Sequence, residues 1–534
     1  MSVVGIDFGN LNAVVAVARN KGIDVITNEV SNRATPSLVS FGEQQRYLGE
    51  AAKTQEMFNF KNTVFGLKRL IGRPFTDPDV MNVEKKYINA NLVEGERGEV
   101  AAAVQYQGEI RHFSYTQIAA MFLGNVKEFT SAEIKIPVTD AVISVPGWFT
   151  DRQRRAILDA AQVAGINILR ILNDLTAAAL GYGLTKLDLP DPSDAKHKPR
   201  NVVFVDLGHS SFQVSVVSFV KGKLVVKGTS YDRNLGGRDF DELLVDHFTK
   251  IFDAKYKMDI KSNAKAIFRL RAACEKVKKI LSANAKTVLN VECLLDDKDV
   301  RAEVDRAEFE ELIAPLVARL TGPLEKALAA AEVTADEVDF VEMIGGSTRI
   351  PAVKETLAKF FGGNLDENKL STTLNQDEAV SRGCALQCAI LSPVFKVRDF
   401  STQEWNNYPI ELAWDASVAP APKSGEPAVT SIDAFPVGND IPSKPKLLTF
   451  FRTLDSAELE ANAGHVSLDV KAVYGPSAID RNLPLGVGTE IGTWQLKNIR
   501  KLQAHTEAEA AGSTEPHKAT IKIKAKLDAN GLIV

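Results

Sequence analysis

The sequence predicts an α/β fold made of two similar lobes, followed by an all-β region, and three observations predict it. A strand-turn-strand signature near the N-terminus recurs 199 residues later. A second pair of strand-and-turn segments keeps the same offset. After Phe400 the chain carries ten of its 22 prolines together with alternating strand patterns, which disfavour long helices.

The first repeat consists of VVGIDFGNLNAVVAVA from Val3 and VVFVDLGHSSFQVSVV from Val202. Each copy is an apolar run, an Asp, a Gly, a short polar turn and an alternating strand. The second pair is DAVISVPGWF from Asp140 and DFVEMIGGST from Asp339, and each member predicts a buried strand, a tight turn and a helix. Two unrelated hairpins can share D-x-G by chance, but a second pair in the same register favours a duplicated lobe.

Two lobes that face each other form a cleft, and the repeat places Asp7 and Asp206 at strand ends on its floor. Such carboxylates suit Mg²⁺, which is usually held by one or two carboxylates and by the phosphates of a nucleotide. Gly9 and Gly208 let backbone N–H groups approach phosphate oxygens. The chain contains no G-x-x-x-x-G-K-[ST], so a P-loop is excluded and phosphate binding falls to the paired turns.

Two further glycine pairs and one helix complete the predicted ligand site. Gly236-Gly237 and Gly345-Gly346 each adjoin a helix signal, and a helix N-terminus binds anions. FRLRAACEKVKKILS has apolar residues at helical spacing, and four polar residues share its other face. These four are Glu275, Lys278, Lys279 and Ser282. They could hold an adenosine, and a merely solvated charged face is the alternative.

Composition and charge exclude several functional classes. Lys and Arg total 64 against 68 Asp and Glu, and the net charge of −4 gives no general attraction to nucleic acid. The four cysteines form no CxxC pair, so we expect buried free thiols rather than a zinc site or disulfides. Because the sequence shows no signal peptide and no segment of membrane-spanning length, we expect a reducing compartment, the cytoplasm or the nucleus, and no membrane partner.

Seven ordered motifs between residue 1 and about residue 390 resemble the seventy-kilodalton heat-shock chaperone family. They are GIDFGN at Gly5, NTVFGLKRLIGR at Asn62, RILNDLTAAALGYGL at Arg170, VDLGHSSF at Val205, NLGGRDFD at Asn234, IGGSTRIP at Ile344 and LNQDEAV at Leu374. The resemblance implies an actin-like ATPase domain of two duplicated, ribonuclease-H-like lobes. It also implies ATP or ADP and Mg²⁺ as cofactors.

The same resemblance assigns roles to individual residues. Lys68, Asp7, Asp206 and Asp174 would take the catalytic positions, with Lys68 reaching the γ-phosphate and Asp7 and Asp206 near Mg²⁺. The residues implied to hold the nucleotide are Gly9, Asn10, Leu11, Gly208, His209, Ser210, Gly236, Gly237, Glu275, Lys278, Lys279, Ser282, Gly345, Gly346, Ser347, Arg349 and Asp377. Arg349 would lie beside the adenine, and Asp377 would join the cleft floor.

The departures from the family pattern cluster at the phosphates. Asn10 and Leu11 stand where the hydrolysing chaperones carry two threonines, and Gly208 is followed by His209 rather than by further glycines. Asp174-Leu175 replaces a Glu-Pro pair, and Gln213 replaces an aspartate that helps to order the ions around the γ-phosphate. The loss of that carboxylate weakens charge stabilisation at the transferring group, so we expect ATP to bind well and to turn over slowly.

This set of changes resembles the hundred-and-ten-kilodalton heat-shock class, whose members act as nucleotide exchange factors. The resemblance implies a chaperone that embraces the nucleotide domain of a seventy-kilodalton heat-shock chaperone and promotes release of ADP. It also implies a holdase for unfolded polypeptides, present as a monomer or as a heterodimer with the partner chaperone.

The C-terminal part is expected to be a β-sandwich that binds polypeptide substrates. Strand alternation runs from Val466 to Tyr474 and from Ile521 to Leu527. We expect a nucleotide-binding domain over 1–390, a linker over 391–400 and the sandwich over 401–534, with the helical lid of the family absent. The segments 425–446 and 501–518 are expected to be a long loop and a disordered insertion.

Two alternatives to the exchange factor remain open on the sequence. An ATP-cycling refolding chaperone would explain why Asp7, Lys68 and Asp206 are retained. A sugar or glycerol kinase with the same two lobes would explain the repeat but not the β-rich C-terminal part.

Overall fold

A computed structural model describes residues 2–19, 22–194, 198–363, 369–415, 428–454, 466–484, 486, 488–499 and 517–534. The chain divides into two compact units. Unit 1 comprises Met1–Phe149 and Gln153–Glu404, and unit 2 comprises Thr150–Arg152 and Trp405–Val534. The predicted insertion at 501–518 lies almost entirely outside the described residues.

In the described residues of the first half of unit 1, strands β1 to β12 and helices α1 to α4 form, and α5 then leads into the second half. The strands are β1 (Val4–Asp7), β2 (Asn12–Arg19), β3 (Gly22–Val25), β4 (Ala34–Pro36), β5 (Val39–Phe41), β6 (Arg46–Leu48), β7 (Thr63–Val64), β8 (Asn91–Glu94), β9 (Val100–Tyr106), β10 (Glu109–Ser114), β11 (Asp140–Val145) and β12 (Asn167–Asn173). The helices are α1 (Gly49–Gln55), α2 (Leu67–Leu70), α3 (Tyr115–Ile134), α4 (Asp151–Val163) and α5 (Asp174–Thr185).

The second half of unit 1 has a similar mixture of strands and helices. Its strands are β13 (Arg200–Leu207), β14 (Phe212–Val220), β15 (Lys223–Asp232), β16 (Lys286–Leu295), β17 (Lys298–Asp305), β18 (Phe340–Ile344), β19 (Leu370–Ser371) and β20 (Ser401–Trp405). Its helices are α6 (Gly237–Tyr256), α7 (Ala264–Leu281), α8 (Arg306–Val317), α9 (Thr321–Ala331), α10 (Pro351–Phe360) and α11 (Ala379–Leu391).

The two halves of unit 1 repeat one sheet topology. The first sheet has the order β12-β11-β1-β2-β3, and the second follows β19-β18-β13-β14-β15. In both, the central strand pairs parallel with one neighbour and antiparallel with the other. The hairpin register is also repeated, because Asp7 faces Val14 and Asp206 faces Gln213. The duplication predicted from the 199-residue offset is therefore confirmed.

Helices α5 and α11 pack against each other and link the two sheets. Helix α11 lies on β1, β2 and β11 of the first sheet, whereas α5 contacts β13, β14 and β15 of the second. A Cβ atom at Gly383 would overlap the backbone carbonyl of Ala177, so glycine permits this close helix crossing. The sequence of each half thus contributes a helix that supports the joint between the two sheets.

The second sheet carries a large apolar core that fixes the position of its strand ends. Val203, Val205 and Phe212 of the sheet pack with Leu244 and Phe248 of α6, and all five are almost fully buried. These alternating positions are the inward face of β13 and the apolar stripe of α6, which is the periodicity expected for such elements. The polar turn after β13 is therefore held on a rigid base.

Unit 2 is built mainly of strands. They are β21 (Ile410–Trp414), β22 (Ser431–Phe435), β23 (Asp440–Ile441), β24 (Lys446–Leu454), β25 (Val466–Tyr474), β26 (Glu490–Ile499) and β27 (His517–Ala525). One sheet has the order β22-β21-β25-β26, and β24 pairs with β27 in another. The strand predicted over Val466–Tyr474 is confirmed, and the one predicted over Ile521–Leu527 lies a few residues earlier.

Two sequence expectations are wrong. The segment 425–446 is not a continuous loop, because β22 and β23 form within it, and Ser431–Ala413 pairing supplies part of its backbone hydrogen bonds. Cys274, Cys384 and Cys388 are buried as expected, but Cys293 is exposed at the bulged end of β16.

None of the described helices is long and apolar enough to cross a membrane.

Candidate functional site

Three carboxylates and one lysine meet between the two halves of unit 1. Asp7 ends β1, Asp206 lies near the end of β13, and Asp174 begins α5. The Lys68 ammonium donates to Asp174 Oδ2 at 2.9 Å and to Oδ1 at 3.2 Å, and both side chains are buried. The cluster therefore has more carboxylates than cations, and the sequence repeat brings two of them together from equivalent strands.

Burial, together with repulsion between the carboxylates, raises the pKa of two aspartates in the cluster. Loss of hydration raises the pKa of Asp7 to about 7, with repulsion from Asp174 and Asp206 adding to the shift and Lys68 opposing it. Loss of hydration, with repulsion from Asp174, likewise raises the pKa of Asp206 to about 7. Burial alone would lower the pKa of Lys68, but Asp174 and Asp7 raise it, so the ammonium stays charged.

This charge distribution fits a divalent cation. A cation beside Asp7 and Asp206 would balance the carboxylates that Lys68 leaves uncompensated. Within the described ranges, no group of three or more His, Cys, Asp and Glu side chains could hold a metal by itself. An ion here would therefore depend on water and on a ligand's phosphates, which is how Mg²⁺ usually binds beside a nucleotide.

Gln213 links two of the carboxylates with a neutral side chain. Its amide nitrogen donates to Asp174 Oδ2 and to Asp206 Oδ2, each at 3.2 Å. Its amide oxygen accepts from the backbone N–H of Gly147 at 3.4 Å. Because an aspartate here would lose both donor bonds and add a further negative charge, Gln213 stabilises the carboxylate cluster without an ion.

The two repeated turns touch each other through Asn10 and His209. Asn10 Nδ2 lies 2.8 Å from His209 Nδ1, which joins equivalent positions of the two halves. Loss of hydration, together with Arg238 and Lys278, lowers the pKa of His209 to about 3, so the ring is neutral. Asn10 Oδ1 is buried and has no hydrogen-bond partner among the described residues. It is an acceptor that a ligand or a metal-bound water could satisfy.

Three glycine-containing turns form a backbone cradle beside the cluster. Gly237 N–H donates to Gly208 C=O at 2.9 Å, and Ser347 Oγ donates to the same carbonyl at 3.1 Å. Gly345 has φ = +81°, and a Cβ atom there would overlap Asp206 Oδ1. A Cβ at Gly236 would lie 2.5 Å from Ser210 N. The predicted phosphate turns are thus brought together, and glycine is required where they meet.

The polar face of α7 reaches this cradle through Lys278. The Lys278 ammonium is buried and donates to Gly237 C=O at 2.8 Å and to Asp241 Oδ2 at 2.7 Å. Lys279 pairs with Glu275 at 2.6 Å on the same helix face. Two of the three Lys278 donors are therefore already used within the protein. Asp241 was missed by the sequence analysis, although it lies four residues after Gly237 on α6.

The remaining predicted residues lie on the same surfaces. Ser282 follows the last residue of α7 and donates to Lys278 C=O at 2.9 Å. Arg349 pairs with Asp377 at 2.6 Å, and both side chains are about half exposed. Gly346 adjoins this pair, because a Cβ atom placed on it would lie 3.4 Å from Arg349 Nη1. The carboxylate cluster therefore offers a cation site, the glycine turns offer side-chain-free space beside it, and the Arg349–Asp377 pair forms an open rim.

Gly9 and Leu11 shape the first turn by their backbone. A Cβ atom at Gly9 would overlap the carbonyl of Asn12, so glycine is needed for the tight turn. The Leu11 carbonyl accepts from the backbone N–H of Ser37 at 2.9 Å. This bond fixes the turn against the segment that follows β4.

The pKa values of Asp7 and Asp206 predict a pH dependence of stability. A carboxyl whose pKa is higher in the folded than in the unfolded state holds its proton more tightly when folded. Its stabilising contribution is complete below the usual pKa near 4 and is lost as the pH rises toward about 7. We expect the wild-type free energy of unfolding, measured in EDTA, to fall relative to that of Asp206→Asn across this range. Parallel pH profiles for the two proteins would contradict the assignment.

Comparisons with known proteins give one consistent result. A family model described as Hsp70 protein matches residues 3–427. Heat shock protein hsp88 of Neurospora crassa is 56% identical over 452 residues, which cover 85% of this chain and 62% of that protein. A heat shock protein homolog of the yeast Naumovozyma castellii is 44% identical over 528 residues, 99% of this chain and 71% of the relative.

A plant relative extends the comparison. Heat shock 70 kDa protein 14 of Arabidopsis thaliana is 43% identical over 534 residues, which cover the whole of this chain and 59% of that protein. The chain therefore spans about three fifths of the length of the Neurospora and Arabidopsis relatives.

Proposed function

The chain belongs to the Hsp70 protein family, and on that premise we propose that it is an ATP-binding chaperone of the hundred-and-ten-kilodalton heat-shock class. Its role would be nucleotide exchange for a seventy-kilodalton heat-shock chaperone, together with holding of unfolded polypeptides. The observation that carries the proposal is the charge-imbalanced cluster of Asp7, Asp174, Asp206 and Lys68 beside a glycine cradle.

We propose an actin-like, two-lobed arrangement for the nucleotide-binding domain over 1–390, a linker over 391–400 and a β-sandwich over 401–534. The repeated sheet order supports the two lobes, and the strands of unit 2 support the β-rich domain. Unit 1 extends to Glu404, and β20 pairs parallel with β15 of that unit, so we move the proposed start of the β-sandwich from residue 401 to Trp405. We expect the protein in the cytoplasm or the nucleus.

Mg²⁺-ATP, when bound, would supply the phosphates and the divalent charge that the carboxylate cluster and the glycine cradle are suited to receive. Asp7 and Asp206 would face the ion, and Lys68, held by Asp174, would present its ammonium to the terminal phosphate. The turns at Gly236–Gly237 and Gly345–Gly346 would line the phosphate and sugar side, where the absence of side chains leaves room for the ligand. Lys278 would act mainly by fixing the Gly237 loop, because its ammonium already binds that loop and Asp241.

The neutral Gln213 supports binding without rapid turnover. Its amide satisfies Asp174 and Asp206, but it brings no charge to order ions around a γ-phosphate. Only interactions that strengthen in the transition state accelerate a reaction. Because the Gln213 amide carries no charge that could strengthen its bonds as the γ-phosphate leaves, it stabilises bound ATP without accelerating hydrolysis. We therefore propose that ATP acts chiefly as a structural ligand.

The exchange role predicts a direct kinetic result. We expect stoichiometric amounts of this protein with Mg²⁺-ATP to accelerate release of fluorescent ADP from a seventy-kilodalton heat-shock chaperone by about tenfold or more. The control is Asp206→Asn, which should lose most of the acceleration because its cluster no longer binds Mg²⁺-ATP. An unchanged ADP release rate with wild-type protein that does bind ATP would refute the exchange role alone.

The second candidate is an ATP-cycling refolding chaperone, which the Lys68–Asp174 pair and both cleft aspartates favour. Single-turnover hydrolysis separates the two candidates, since fast hydrolysis stimulated by a J-domain protein would support the second one. Membership of the Hsp70 family argues against the sugar or glycerol kinase.

A further inference from the structure

A second buried ionic cluster joins the two halves of unit 1, with none of its side chains taken from the carboxylate cluster. Glu84 accepts from Arg69 Nε at 2.8 Å on its own half, and Arg69 Nη2 contacts the same carboxylate. From the other half, Arg238 Nη1 and Nη2 donate to the two Glu84 oxygens at 2.8 and 2.9 Å. Glu84 is only 1% exposed, and both arginines are buried. We call Arg69, Glu84 and Arg238 the Glu84 latch.

Neighbouring contacts also join the two halves beside the Glu84 latch. Arg69 donates to the Arg233 carbonyl at 2.6 Å and to Asn234 Oδ1 at 2.7 Å. Tyr87 Oη donates to Asp239 Oδ1 at 2.9 Å. The Arg238 guanidinium also lies 4.1 Å from the centroid of the Tyr87 ring, a favourable cation–π distance. The segment 233–239 of the second half is thus fastened to the segment 69–87 of the first.

The latch is adjacent in sequence to both sides of the proposed nucleotide site. Arg69 follows Lys68 directly on α2, and Arg238 follows Gly237 directly at the start of α6. Glu84 is placed by a π-helical turn, Val80–Glu84, a rare geometry that is often found at functional positions. Opening of the halves would therefore separate Lys68 from the Gly237 turn and break the latch in one movement.

The energetics of the Glu84 latch indicate that it positions the two halves relative to each other rather than adding to the free energy of unfolding. A buried ion pair adds little net stability compared with apolar side chains of the same size, because its charges must be desolvated. Removal of one partner is nevertheless costly, since the other charge is then buried without compensation. One carboxylate that must satisfy two arginines from different halves specifies the closed arrangement, as a bidentate Arg-carboxylate pair is geometrically demanding.

We propose that the Glu84 latch holds the Gly236–Gly237 turn against α2 and so sets how long a nucleotide stays bound. The inference rests on the proposed nucleotide binding and names the residues that govern its lifetime. It makes Glu84, Arg69 and Arg238 positioning residues, which act through the glycine turn and through Lys68 rather than on the ligand itself.

The test compares Glu84→Gln with wild-type protein. Release of a fluorescent ATP analogue, started by an excess of unlabelled ATP, is expected to be about 10- to 100-fold faster in the variant, because charge-assisted bonds across the cleft are lost. Asp246→Asn is the matched control, since it breaks the exposed Lys261–Asp246 pair of the same unit and should leave release unchanged. An unchanged release rate in folded Glu84→Gln that binds the analogue would overturn the latch.

Two further measurements keep the outcome decisive. Amide hydrogen exchange of residues 236–239 in ligand-free protein should be faster in Glu84→Gln than in wild type, and equal protection would also overturn the latch. If the wild type binds no ATP, the proposed function fails while the exchange measurement still tests the latch. If Glu84→Gln does not fold, Tyr87→Phe removes only the bond to Asp239 and should still speed release by about threefold or more.

Discussion

Lys68→Ala is expected to lower the free energy of unfolding of unit 1 by about 3–5 kcal/mol, because it leaves the buried Asp174 carboxylate without its cation. The same change should nearly abolish ATP binding. The ammonium is the only cation that directly contacts the carboxylate cluster among the described side chains, so its loss increases repulsion around Asp7 and Asp206. Chemical denaturation and calorimetric titration with Mg²⁺-ATP measure the two effects.

The control for this substitution is Lys276→Ala. Lys276 lies exposed on α7, and surface substitutions of this kind usually change stability by less than about 0.5 kcal/mol. The double variant Lys68→Ala/Asp174→Ala should recover part of the stability, since it removes the uncompensated charge as well. A Lys68→Ala protein with wild-type stability and ATP affinity would mean that the pair has no role in either property.

Gly345→Ala is expected to disrupt the glycine cradle more than alanine at any other glycine of the cradle. Its φ of +81° costs about 1–2 kcal/mol for a residue with a Cβ atom. The new methyl group also overlaps Asp206 Oδ1 and lies 2.6 Å from Leu207 O, and such overpacking adds about 1–3 kcal/mol. Because relief of the overlap must move Asp206, we expect loss of Mg²⁺-dependent ATP affinity together with the loss of stability.

Gly362→Ala separates the two contributions to this effect. Gly362 has φ = +80°, but a Cβ atom there would meet no described atom within 4 Å. It should therefore show the backbone cost alone and retain ATP binding. If thermal unfolding and calorimetry found equal losses for both variants, the contact with Asp206 would not matter to the site.

Lys68→Ala and Gly345→Ala act on different parts of the candidate nucleotide site. Lys68 supplies charge to the cluster, whereas Gly345 supplies the space that lets the third turn approach Asp206. Gln213 and the Asn10–His209 contact belong to neither category, because they are neutral bonds between groups that the folded halves bring together. They allow the site to stay assembled without an ion.

Several features of this protein follow from the sequence alone. The repeat, the position of Asp7 and Asp206 at strand ends, and the strand Val466–Tyr474 can all be predicted because they depend on alternation and on turn residues close together in the chain. The glycine motifs are readable for a similar reason, since tight turns restrict which residue types they accept. The resemblance of the seven motifs then identified the family that the comparisons show.

Only the tertiary structure decided which side chains meet. Glu84 and Arg238 are 154 residues apart, and neither lies in a pattern that predicts the other. Lys278 lies on the predicted polar face of α7, yet it is buried against Asp241 because α6 and α7 pack side by side. Local periodicity determines which face of an element is polar, whereas the partner of a buried charge depends on how distant elements pack, and that information is spread over the whole chain.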